Sequence, residues 1–209
     1  MALRNIYFDL LDASLTSVDL NDGHAPHNEY ASTVKSYLVN SGYSSSKIKM
    51  KSYMTKDTFL EALAYSKIFV YKGHGSETFL PTSDDDMFGF THFHKIPQNN
   101  GMAIADLVIF SGCNTAGSNK VYTSNSFTGQ AYAKGANHVI GFTDEIGCEQ
   151  STLWLKMFFM YLKNGKTIYD SGLLADSSVE AAFPDSENLI NTSVRKALGN
   201  NRATISSFS

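Results

Sequence analysis

The chain has 209 residues, 43% of them hydrophobic and 18% charged, and a formal charge of −3. That size and balance describe a globular protein able to bury a full core, most simply as a single domain over 1–209. They leave no electrostatic footprint for a nucleic-acid partner, since only KIKMK from Lys47 approaches a basic cluster.

No apolar run reaches the ~18 residues that span a bilayer, and no apolar leader precedes the first strand, so neither membrane insertion nor a signal peptide is expected. Cys113 and Cys148 are the only cysteines. They cannot build a disulfide framework, which makes a reducing, cytoplasmic setting the simpler reading, with a secreted protein carrying a free thiol compatible. A regulatory disulfide between the two stays open.

In chain order, RNIYFDLL (4–11) reads as a first strand and the polar stretch 12–28 as a loop. Residues 29–40 carry Tyr30, Val34, Tyr37 and Leu38 at helical spacing, GYSSS breaks that helix, and KIKMKSY (47–53) reads as a strand. Thr55 is placed to cap a short helix over DTFLEALAYS. The apolar run from Lys67 to Tyr71 is the next strand. TFLPTSDDDMFGFTHFHKIP then alternates aromatics about an acidic tip, predicting a rim hairpin, with a short helix over 98–103. A strand over 107–110 leads into NTAGSNKVYTSNS, a polar connection expected to be flexible. A helix over 126–135, a strand over 138–142 and a strongly apolar helix over 151–162 follow. The tail offers a helix at 191–198 and should fray after Ala203. Strands alternating with helices predict an α/β fold with a mostly parallel sheet covered on both faces.

Two of these strands end alike. KIFVYKGHGSE runs into a small-residue turn at His74, and ADLVIFSGCNT runs into one at Cys113. A cysteine after a strand is ordinarily a buried small hydrophobe, and a His between glycines is ordinarily a turn. Loops leaving adjacent parallel strands, about 4.8 Å apart, instead bring an imidazole and a thiol within reach as base and nucleophile. Here the chain resembles the caspase, gingipain and separase clan of cysteine peptidases, and within it the CHAT-type and bacterial caspase-like domains. In these an apolar block followed by His-Gly supplies the catalytic histidine, and a second followed by Ala-Cys or Gly-Cys supplies the nucleophile. SFTGQAYAKGANHVIGFTDEI and STLWLKMFFMYLKNGKTIYDS continue the likeness, which covers roughly 67–175. The interval from His74 to Cys113 is shorter than the ~50 residues of true caspases, and SGCNT is not their QAC-x-G signature. A caspase proper, with its aspartate preference, is not expected.

The resemblance implies a caspase-like three-layer sandwich and a cysteine endopeptidase acting on polypeptides through a His74–Cys113 dyad. It implies an oxyanion hole made by the backbone N–H groups of Gly75 and Cys113. Ser111 takes the place, two residues before the cysteine, where several family members carry an acid for Lys or Arg substrates. The acids of the loop after the next strand, Asp144 first and then Glu145 and Glu149, take over that role in this reading and favour cleavage after Lys or Arg. Lys120 is a candidate autoprocessing site for a zymogen, and a proteolytically silent signalling module is the competing reading. No Cys or His spacing completes a zinc set. His92 and His94, expected on one face of a strand, are weak metal candidates. His24 and His27 fall in a loop. No cofactor is expected, although Asp84, Asp85 and Asp86 offer oxygens for an activating calcium ion. The DLNDG around Asp22 fails the EF-hand pattern.

Overall fold

The structure is a computed structural model that describes residues 10–12, 28–49, 54–82, 87–97, 101–200 and 202–208. Asp84, Asp85, Asp86, Asp22, His24 and His27 lie outside the described residues. A five-stranded sheet holds β1 (Leu10–Asp12), β2 (Ile68–Lys72), β5 (Leu107–Ser111), β8 (His138–Phe142) and β9 (Arg195–Gly199), in that spatial order. The first four are parallel and β9 is antiparallel to β8. Two small antiparallel hairpins stand apart from it: β3 (Phe79–Pro81) with β4 (Met87–Gly89), and β6 (Gly117–Ser118) with β7 (Val121–Tyr122).

Alternation along the strands sorts the core into two faces. Ile68, Val70, Leu107, Ile109, Ile140 and Phe142 point one way, into α1 (Asn28–Asn40), α4 (Cys148–Lys163) and α5 (Ile168–Ala182). Phe69, Tyr71, Val108, Phe110 and Val139 point the other, into α2 (Lys56–Tyr65), α3 (Phe127–Ala133) and the β3–β4 hairpin. The central strands β2, β5 and β8 are buried along their whole length, which is why they read as continuous apolar runs. Each large side chain buried this way stabilises the fold by about 1.5–3 kcal/mol. The helices begin where the sequence places caps: Thr55 Oγ1 accepts from the Thr58 N–H, Ser126 from Gly129 and Thr167 from Asp170.

Four expectations are corrected. Residues 191–198 do not form a helix, because β9 takes Arg195–Gly199 onto the otherwise open edge of β8, and five paired residues outweigh the helical propensity of Lys196–Leu198. The tail does not fray: the Ile168 N–H reaches the Ala203 carbonyl at 2.8 Å, and Phe208 is buried. In KIKMKSY, Ser45–Lys47 is a 3-10 turn and Ile48 drops into the α1 and α4 core without strand pairing, while 50–53 lie outside the described residues. The polar connection after Cys113 folds as the β6–β7 hairpin, closed by Asn119 and Lys120 at φ of 50° and 62°, the primed-turn geometry that matches strand twist.

Candidate active site

The C-terminal ends of parallel strands are where an open α/β sheet leaves a crevice, and here the chemistry-bearing turns emerge together. Lys72 pairs in register with Ser111. His74 lies two residues beyond the first and Cys113 two residues beyond the second, so the ladder carries both to the same level on neighbouring strands. The Gly73 N–H closes the pair by donating to the Ser111 carbonyl at 3.1 Å.

Small residues let the two turns meet. A Cβ on Gly112 would lie 2.8 Å from the Gly73 carbonyl oxygen, and one on Gly75 would lie 3.0 Å from the Cys113 carbonyl oxygen. Gly112→Ala therefore pushes apart the backbones that carry histidine and thiol. For the peptidase that the sequence resemblance implies, the expected result is loss of most turnover with a cooperative melt retained, read by peptide hydrolysis beside circular dichroism.

Each turn is fixed from below. Tyr71 donates its hydroxyl to the His74 carbonyl, and Ser76 Oγ accepts the N–H groups of Thr78 and Phe79 at 3.2 and 3.1 Å. On the other strand Thr115 Oγ1 donates to the Phe110 carbonyl at 2.8 Å and accepts the Phe142 N–H at 3.2 Å. Asn114, at φ 57°, donates its N–H to the Asp144 carbonyl at 3.1 Å. A hydrogen bond from Ser118 Oγ to Glu77 Oε2, 3.1 Å, ties the segments following the two turns to each other.

His74 is exposed and Cys113 half-buried. The Ile146 N–H points at Cys113 Sγ at 3.4 Å, and the Ile146 carbonyl lies 3.8 Å from it. Burial pushes the Cys113 thiol up from its ordinary pKa, the Ile146 contact opposes that, and the charges of Glu145 and then Asp144 raise it further. The raised pKa favours the thiol form, so a nucleophilic role for Cys113 would call for a base. Glu145→Gln removes one of the repelling charges and moves the midpoint for iodoacetamide alkylation of Cys113 to lower pH, measured as labelling rate against pH. A midpoint moving upward would contradict this electrostatic account.

The other expected site residues divide. Asp144 and Glu145 stand in the loop beside the thiol, with Glu145 exposed and Asp144 in a 3.9 Å ion pair with Lys120. Glu149 is exposed in the first turn of α4. Ser111 is buried and bonds Ser151 Oγ at 2.9 Å, beneath the sheet end. Lys120 sits at the ordered β6–β7 tip with its N–H on the Thr143 carbonyl at 2.8 Å, so cleavage after it requires that hairpin to open. His92 and His94 do not share a strand face. They lie in the 3-10 turn Phe90–Lys95, where a spacing of two turns side chains well apart, and their Nδ1 atoms contact the backbone of Gly89 and Thr91. Among the described residues no group of three His, Cys, Asp or Glu side chains is placed to hold a metal ion. None of their helices is long and apolar enough to cross a membrane. Ile146 was invisible to sequence reasoning, because it acts through its backbone and carries no side-chain signature.

No family model and no curated protein sequence matches the chain. Solved structures do. The Arg-specific cysteine proteinase gingipain R superposes with a TM-score of 0.71 at 16% identity, over 95% of this chain and 47% of that one. The complex of the Porphyromonas gingivalis RgpB pro- and mature domains gives 0.67 at 18% identity, over 96% and 48%. The Saccharomyces cerevisiae separase–securin complex gives 0.58 at 16% identity, over 93% of this chain and 12% of that one. The chain has the caspase-like fold of these proteins and spans about half the length of the gingipain chains.

Proposed function

We propose that this chain is a cysteine endopeptidase that cleaves polypeptides after Lys or Arg. The observation that carries the reading is the register of β2 and β5, which sets His74 and Cys113 at one level on adjacent parallel strands. The caspase-like fold supports it, and so does the description of one structural neighbour as an Arg-specific cysteine proteinase.

In this reading His74 takes the Sγ proton of Cys113 as the thiolate attacks the scissile carbonyl. The N–H groups of Gly75 and Cys113 receive the developing oxyanion. His74 then returns the proton to the departing amine, and water hydrolyses the thioester. The raised thiol pKa supports a role for the histidine as base in the attack. For the basic side chain at the cleaved bond the partner is Asp144, with Glu145 and Glu149 beside it. The ammonium of Lys120 already rests against the Asp144 carboxylate, a miniature of the proposed recognition.

The test is a fluorogenic peptide panel varied at the residue before the cleaved bond, under reducing conditions and with or without calcium. Fast cleavage after Lys and Arg is expected, with Asp144→Asn raising KM for those peptides more than it lowers kcat. Preference for another residue class would overturn the specificity. No turnover in any condition would favour a silent interaction module or an uncleaved zymogen.

A further inference from the structure

Beneath the dyad, on the α4 face of the sheet, the last residue of β2 meets the first residue of α4. Lys72 is 2% exposed, and its Nζ lies 3.3 Å from Cys148 Sγ. Cys148 itself is exposed. The two elements are held in alignment one helical turn further on, where Ser111 Oγ and Ser151 Oγ share a buried 2.9 Å hydrogen bond. The amine is therefore fixed in place while the sulfur is open to small oxidants. Nothing in the proposed hydrolysis uses either group.

We propose that Lys72 and Cys148 form a redox-reversible covalent cross-link, a modification site separate from the His74–Cys113 dyad. The oxidant is hydrogen peroxide. The Cys148 thiol is first oxidised to a sulfenic acid: peroxide's O–O bond breaks, one oxygen goes to sulfur, and water leaves. The Lys72 nitrogen, in its deprotonated form, then attacks that sulfur. The S–N bond forms, the S–O bond breaks, and the departing hydroxide leaves as water with a proton from nitrogen. In sum one thiol, one amine and one peroxide give one sulfenamide and two waters. A thiol reductant reverses it: one thiol opens the S–N bond and regenerates the amine, and a second frees Cys148 as it becomes a disulfide with the first. Burial favours the protonated form of Cys113, which slows its reaction with peroxide.

The bond joins the bases of both catalytic turns. Lys72 stands two residues before His74, and Cys148 stands two residues after Ile146, whose N–H points at Cys113 Sγ.

Peptide mapping of the Cys113→Ala protein after mild peroxide treatment tests the site with only one sulfur of cysteine left. The expected product is a Lys72 peptide joined to a Cys148 peptide, lighter than their sum by two hydrogens and separated again by dithiothreitol. The joined form should also melt at a higher temperature than the reduced protein. Recovery of Cys148 as sulfinic or sulfonic acid, or as a disulfide between two chains, with the Lys72 peptide unmodified, would overturn the proposal. The readout does not pass through catalysis, so it stands or falls separately from the peptidase reading.

Discussion

Replacing Cys113 by alanine is expected to abolish peptide hydrolysis while leaving the fold intact. In the proposed mechanism Cys113 is the nucleophile, and its loss from a covalent mechanism lowers kcat by roughly 10⁴-fold or more. The structural cost is small, because the Sγ contacts with the Ile146 backbone are long, 3.4 and 3.8 Å, and the residue is half-buried. Such weak sulfur contacts are worth less than an ordinary net hydrogen bond of about 1 kcal/mol. Kinetics of wild type, Cys113→Ala and Cys148→Ala under reducing conditions, each with a melting curve, separate the two thiols. Cys148→Ala should keep most activity. If the alanine at 148 silenced the protein and that at 113 did not, the assignment of the nucleophile would be wrong.

The largest expected loss of stability comes from a position far from the thiol. Asp176, on α5, is 1% exposed and receives three contacts from the Arg195 guanidinium: Nε at 3.1 and 3.0 Å from its two oxygens and Nη2 at 3.0 Å. Trp154 of α4 adds its indole N–H at 2.8 Å. The guanidinium lies against Gly172, where a Cβ would approach its Cζ to 2.8 Å, so no larger residue fits there without moving the arginine. Asp176→Ala leaves that cation buried without its counter-charge, a loss of about 3–5 kcal/mol. At roughly 2–4 °C per kcal/mol for a domain of this size, the melting temperature falls by about 10 °C. Pairing the change with Arg195→Met should recover part of the loss, since the uncompensated charge goes with it. A single variant melting within a degree or so of wild type would show that solvent reaches the arginine after all.

How far the sequence could be read depended on whether a segment's own pattern or its neighbours decided its structure. β2, β5 and β8 are buried on both faces, so their continuous Val, Ile and Phe content announced them. The glycines around His74 and before Cys113 announced the turns for the same local reason. β9 was hidden because RKALG has no strand pattern of its own and is set by the edge it covers. α5 escaped notice because its buried side includes Ser171, Gly172 and Asp176, small or polar residues that seat the arginine, in place of an apolar stripe. Of the candidate site, the two turns that carry His74 and Cys113 were legible and their surroundings were not. Lys72 lay just past the apolar run that ends at Tyr71, with nothing to foretell its reach to Cys148. Ser111 takes the position where several members of the resembled clan carry a substrate-binding acid, and strand alternation turns it down toward α4.

The pairing of Lys72 with Ser111 has an evolutionary corollary. Because hydrogen bonds between two strands fix the level of histidine and cysteine, the stretch of chain joining them does not act as a ruler. Doubling such a connection costs only about 0.6 kcal/mol of closure entropy, so insertions and deletions there leave the dyad standing. The short interval between His74 and Cys113 is then no obstacle to setting the two turns side by side, and the connection can change length without disturbing them.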